Sequence, residues 1–243
     1  EILEQGPGLD GIYEAIERAG RTCYKSTRSE GQTAKDFVDR MIASRHYAML
    51  EHGTVYLVFR NYGDAIHDYD HNNSEDKYEE NPYSKVVYGP CPKGVKSYKE
   101  FQQCYQEVYI TTNLRVLVEN NWLDDLQYLC EPTEYHEKRV TVRFTADIHF
   151  YKDTTRHRVF SWAIESTRFC NYLKEKFGMS VSFMRPTWIK EEDIPELEED
   201  CKVIESIYFK WINKGYQAQH AAYFLPQGTK AEVIMTGFVS DYN

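Results

Sequence analysis

No stretch of this chain is apolar for anything near the ~20 residues that cross a bilayer, and its opening lacks the pattern of a signal peptide. No membrane partner is expected, and the cytoplasm is the expected location. Because the sequence opens at Glu1 rather than Met, trimming at one or both ends is expected. Positive charge is also scarce: 29 lysines and arginines against 38 acidic residues leave a net charge of -9. Nucleic-acid surfaces carry a broad basic footprint, so no nucleic-acid partner is expected. Six scattered cysteines (Cys23, Cys91, Cys104, Cys130, Cys170, Cys201) make no C-x-x-C and no zinc-type cluster, and read as buried thiols in a reducing compartment. His67 and His71 stand among irregularly spaced carboxylates, which reads as a solvated loop. No metal is expected.

What the chain does have is 243 residues, enough for a sizeable core, and 20 tyrosines, which suit wet pockets and subunit interfaces. Without repeats or a linker, the economical reading is a single α/β domain over residues 1–243 (α+β type, a central sheet packed by helices) with a polar insertion around 60–84. Leu9, Ile12, Tyr13 and Ile16 predict a helix over 9–20, with a polar turn over 21–26. Thr33 predicts the N-cap of a helix reaching about Ser44. Strands are expected at 55–59, 86–88 and 139–145, and helices at 97–108 and 113–130. A further helix from Ala146 should run into the charged stretch that follows. Leu197, Cys201, Ile204, Tyr208, Trp211, Gly215, Ala218 and Ala222 predict a long helix ended by Pro226, before a last apolar element at 232–239.

The chain is organised around residues 156–168, where Arg156, His157, Arg158, Glu165, Ser166, Thr167 and Arg168 are interleaved with apolar side chains. Guanidinium forks match phosphate and carboxylate in a way lysine cannot, so an anionic small molecule is the expected ligand. Arg156 and Arg158 lie about 200° apart on a helix, so both reach one ligand only across a helix end or from a loop.

Arg156-His157-Arg158, seven residues, then Ser166, with Arg168-Phe169 close behind, resembles the signature of the flavin-dependent thymidylate synthase family. Arg21-Thr22-Cys23-Tyr24, the stretch from His46 to Glu51-His52, and Leu225-Pro226 are similar to other family segments in the same order. The resemblance implies a mixed α/β fold, a homotetramer with shared active sites, and reductive methylation of dUMP to dTMP by methylenetetrahydrofolate, FAD and NADPH. Flavin performs the hydride transfer, so the protein supplies binding, orientation and electrostatics. The implied FAD-binding residues are Arg156, His157, Arg158, Glu165, and His46 acting on a neighbouring subunit. The implied dUMP-binding residues are Asp153, Arg156, Ser166, Thr167 and Arg168, with Ser166 and Arg168 at the reaction centre and backbone N–H groups of the 166–168 stretch on the nucleotide.

Four positions depart from the family pattern. Ile164 stands where a glutamate is usual, Ala222 where an arginine is, and Phe238 and Ser240 where an asparagine and an arginine are. A further nucleotide-contacting arginine falls past Asn243, so the C-terminal part of the family domain is expected to be missing. These departures keep open a diverged flavin-binding homologue without the synthase reaction. Several bland readings also stand: Glu165 pairing with Arg168, Asp153 pairing with Arg156, His157 as a core histidine and His46 as a surface one. Cys170 beside guanidiniums is either a nucleophile of lowered pKa or a packed thiol.

Overall fold

The computed structural model describes residues 1–61, 76–90 and 106–242. Most of the 60–84 insertion, His67 and His71 included, and the greater part of the helix expected at 97–108 lie outside the described residues. The mixed α/β class holds, with the strands in two three-stranded sheets. The chain folds as two compact units, each assembled from several separate stretches of sequence.

The unit formed by Glu4–Glu17, Gly31–Val140 and Thr236–Asn243 holds the first sheet. Its strands are β1 (Thr54–Asn61), β2 (Lys85–Tyr88) and β3 (Gln106–Asn113), in the order β1-β3-β2 and antiparallel throughout. Val55, Leu57 and Phe59 alternate into the core, as a period of two requires. Central β3 buries Tyr109, Ile110, Thr111 and Thr112 in succession, the pattern of a strand covered on both faces. Residues 106–108 are thus strand rather than helix: sheet pairing overrides a weak local propensity.

Helix α1 (Gly8–Tyr24) outlasts its expected end at residue 20, and its turn comes only after Tyr24. Helix α2 (Ala34–Ala43) starts at Thr33 as expected. The Thr33 hydroxyl accepts from the Asp36 N–H at 3.2 Å, and the Asp36 carboxylate accepts from the Thr33 N–H at 2.7 Å. This capping box is what the Thr-x-x-Asp spacing encodes. A short helix, α3 (Asp76–Glu79), leads towards β2. The helix expected over 113–130 divides into α4 (Leu114–Glu119) and a 3-10 segment, Leu123–Tyr128. The break falls at Asn121, whose φ is 59°.

His136 is buried beneath β1. Its Nδ1 accepts from the Thr133 N–H at 3.0 Å, so Nε2 carries the proton and donates to the Leu57 carbonyl at 3.1 Å. Burial lowers its pKa from 6.5, against a smaller opposing pull from the Leu57 carbonyl. Between the lowered value and 6.5 the unfolded chain binds more protons, so stability is full above 6.5 and is lost as pH falls below it. The urea midpoint should therefore fall from about pH 7 to about pH 5, and His136→Gln should flatten that dependence. Equal slopes in the two proteins would exclude His136 as its source.

The other unit, Glu1–Leu3, Arg18–Glu30 and Thr141–Met235, has its own core of Cys170, Tyr172, Val181, Tyr208 and Ala221. The second sheet has the order β4-β6-β5, made of β4 (Arg139–Asp147), β5 (Ser161–Ile164) and β6 (Lys230–Phe238). Helix α5 (Ile148–Thr154) is capped by Asp147, whose carboxylate accepts from the Phe150 N–H at 2.7 Å. It stops short of the arginines. The long helix expected up to Pro226 is two helices, α6 (Ile194–Asn213) and α7 (Ala218–Ala221). Gly215 (φ 91°) interrupts it, with the Tyr216 N–H donating back to the Trp211 carbonyl at 3.2 Å. Glycine takes that left-handed conformation without a Cβ penalty.

Candidate active site

Thr154 ends α5, and a tight turn carries Arg156, His157 and Arg158 into β5. The Arg156 N–H donates to the Asp153 carbonyl at 3.3 Å and the His157 N–H to the Thr154 carbonyl at 3.0 Å. The indole Nε1–H of Trp162 donates to the His157 carbonyl at 3.3 Å, which pins the turn to the strand behind it. Arg156, His157 and Arg158 are all exposed, and their side chains have no ion pair or hydrogen bond among the described residues. His157 is therefore no core histidine. Asp153 is exposed too, and its carboxylate lies 3.6 Å from His149 Nδ1 rather than on Arg156.

β5 is an edge strand of four residues, spanning roughly 13 Å at ~3.3 Å per residue. Beyond it a second turn carries Glu165 to Cys170, held by the Cys170 N–H donating to the Ser166 carbonyl at 2.9 Å. The seven-residue spacing of the motif is thus the end of one turn, an edge strand and the start of another. Arg156 and Arg158 leave from one end of β5 and Arg168 from the other, not all from one helix terminus.

Within the second turn the residues divide by burial. Arg168 is exposed and its guanidinium lies 5.9 Å from the Phe169 ring centroid. The Thr167 and Arg168 N–H groups have no acceptor among the described residues, whereas the Ser166 N–H is taken by the Cys23 carbonyl at 2.9 Å. Only the first two can serve an anion; the amide expected at Ser166 is spent inside the protein.

Glu165, expected at the cofactor or on Arg168, faces inward instead. Its carboxylate meets Lys25 Nζ at 3.0 Å, the Tyr172 hydroxyl at 2.9 Å and the Glu232 N–H at 3.1 Å. A buried carboxylate needs partners of this kind, and three of them leave little for a ligand. Lys25 and Tyr172 carry no local sequence signal that links them to residue 165. Cys170 is fully buried, and burial, followed by the nearby Glu165 charge, pushes its thiol up to about 11. The packed-thiol reading holds, because the inward carboxylate outweighs any cation at this sulfur.

His46 is exposed just ahead of the 3-10 segment Tyr47–His52. Of the departing positions, Phe238 is buried, with Lys85 Nζ and the Arg139 guanidinium each 5.4 Å from its ring centroid, so it is a core residue. Ser240 is exposed. Among the described residues no group of three or more His, Cys, Asp or Glu could hold a metal ion, and no helix is long and apolar enough to cross a membrane.

Comparison with curated proteins gives no match. Among solved structures, the UMP/dUMP methylase PolB from Streptomyces cacaoi bound with 5-Br dUMP is similar at 11% identity and a TM-score of 0.38. That alignment covers 99% of this chain and 72% of the other. The same enzyme bound with 5-Br UMP gives 11% identity, the same coverage and a TM-score of 0.35. The family model described as thymidylate synthase complementing protein matches residues 132–240, a stretch that holds both turns and the strand between them. The resemblance carried by the arginine-histidine-arginine motif is thereby borne out, and residues 132–240 are the part of this chain that matches the flavin-dependent thymidylate synthase family.

Proposed function

We propose that the chain is a flavin-dependent thymidylate synthase, forming dTMP from dUMP with methylenetetrahydrofolate as methylene donor and NADPH as reductant. The observation that carries this reading is the set of exposed arginines in the turns at the two ends of β5, Arg156 and Arg158 at one and Arg168 at the other, inside the matched segment and without an ion pair among the described residues. Exposed guanidiniums spared from internal pairing are available to phosphate oxygens as bidentate donors. The donor set fits FAD: Arg156 and Arg158 suit its pyrophosphate, and His157 adds a donor between them. When bound, FAD supplies the hydride chemistry.

Everything else falls to the chain's own residues. Arg168, with the N–H groups of Thr167 and Arg168 and the Ser166 hydroxyl, binds and orients the dUMP phosphate. Asp153 faces the uracil, and Arg156 also serves the nucleotide. No enzyme nucleophile takes part, in keeping with a Cys170 thiol that burial keeps protonated. His46 reaches the flavin of a neighbouring subunit in a cytoplasmic homotetramer. Residues 1–243 act as a single family domain.

Ile164 favours a second reading, a flavin-binding homologue of changed reaction, since an apolar side chain stands at a position where the family has a carboxylate. Protein purified free of unbound FAD should be yellow, and given dUMP, methylenetetrahydrofolate and NADPH it should form dTMP. Bound flavin without dTMP leaves only the second reading, and colourless, inactive protein overturns both.

A further inference from the structure

We propose that three consecutive residues at the end of α1, Cys23, Tyr24 and Lys25, form a clamp that positions the Ser166–Arg168 turn, with Lys25 as its positioning residue. Each of the three holds a different part of the turn. The Cys23 carbonyl accepts the Ser166 N–H at 2.9 Å, the Tyr24 ring packs on Phe169 with centroids 5.3 Å apart, and Lys25 Nζ meets the Glu165 carboxylate at 3.0 Å. Glu165 passes the restraint inward, to the Tyr172 hydroxyl at 2.9 Å and to β6 through the Glu232 N–H at 3.1 Å. Its own N–H donates to the Glu232 carbonyl at 2.8 Å.

Lys25 sits in the left-handed region at φ 40°, a conformation glycine adopts without cost. It follows the last residue of α1, where the Ser26 N–H donates to the Arg21 carbonyl at 3.2 Å. Glycine is the usual residue at this point of a helix end. A lysine held there gives up backbone ease and gains an ammonium aimed at a buried carboxylate, so the strain and the ion pair have one explanation. A turn fixed at its two ends by the same segment holds the N–H groups of Thr167 and Arg168 in one orientation, which oxyanion binding requires.

The clamp is defined by the structure, while its ligand rests on the proposed function, so the test has two readouts. Amide hydrogen exchange at Ser166, without ligand, reports the clamp itself. Calorimetric titration with dUMP reports its use. In Lys25→Met, exchange at Ser166 should quicken by at least about tenfold relative to the β6 amides, and dUMP affinity should fall by about tenfold or more. Lys25→Arg should restore both to within a few-fold, and Tyr172→Phe, which keeps the charge pair, should give a smaller loss of each. Unchanged exchange in Lys25→Met overturns the clamp. Faster exchange with unchanged dUMP affinity overturns its positioning role. Wild-type protein that ignores dUMP sinks the proposed substrate, and Ser166 exchange still decides for or against the clamp.

Discussion

Arg168→Ala should raise the dissociation constant for dUMP by about 10- to 150-fold, the equivalent of losing a charge-assisted contact of roughly 1.5–3 kcal/mol. The thermal midpoint should stay within about 1 °C of wild type. The two expectations belong together. The side chain is exposed, lies 5.9 Å from the Phe169 ring centroid and makes no ion pair among the described residues, so folding has little to lose by its removal. Ligand binding has a full phosphate contact to lose, and Arg168→Lys should recover only part of it, because an ammonium cannot make the bidentate fork. The corresponding change at Arg158 should weaken FAD retention and spare dUMP, since it leaves from the other end of β5. A midpoint several degrees lower with dUMP affinity intact would make Arg168 structural and would remove the main support for the nucleotide site.

The largest effect on stability is expected from Gly11→Ala. In most helices that change is favourable by roughly 1 kcal/mol, because alanine loses less backbone entropy. Here a Cβ built on Gly11 falls 1.9 Å from the Gly6 carbonyl oxygen and 2.2 Å from its carbon. Those are backbone atoms of the segment leading into α1, tied to the helix by the Gly11 N–H donating to the Pro7 carbonyl at 3.2 Å. No rotamer change relieves the contact, so the segment or the helix must move. Overpacking of this kind costs about 1–3 kcal/mol or more, and at roughly 2–4 °C per kcal/mol the midpoint should drop by about 5–10 °C. Gly228→Ala is the control: a Cβ there has nothing within 4 Å and the residue needs no positive φ, so the midpoint should hardly move. Equal midpoints for the two variants would mean that the approach of Gly6 to α1 is not tight in solution.

Local signals are legible where the physics is local. Thr33 and Asp36 satisfy each other three residues apart, and the apolar face of α1 repeats at helical spacing, so both helices were legible. The alternation in 139–145 announced β4. The structure departs from the local pattern where two local signals compete. Gly215 reads as a small residue in a stripe, yet its freedom to take φ 91° ends α6. The run Tyr109 to Thr112 is β-branched and aromatic enough to be a strand, yet it stands between two stretches that read as helices.

The sequence by itself determined the identity of the charged groups: an arginine-histidine-arginine triplet, seven residues, and a serine with an arginine behind it. Spacing of that kind is a covalent property, and residues so close in the chain cannot be far apart in space. What only the tertiary structure decided is which of those groups face water. Glu165 and Arg168, three residues apart, are sent in opposite directions, because Lys25, Tyr172 and Glu232 converge on the carboxylate from 7 to 140 residues away while nothing comparable among the described residues meets the guanidinium. Partners brought together by folding leave no trace in local spacing, and burial of a charge depends on them alone.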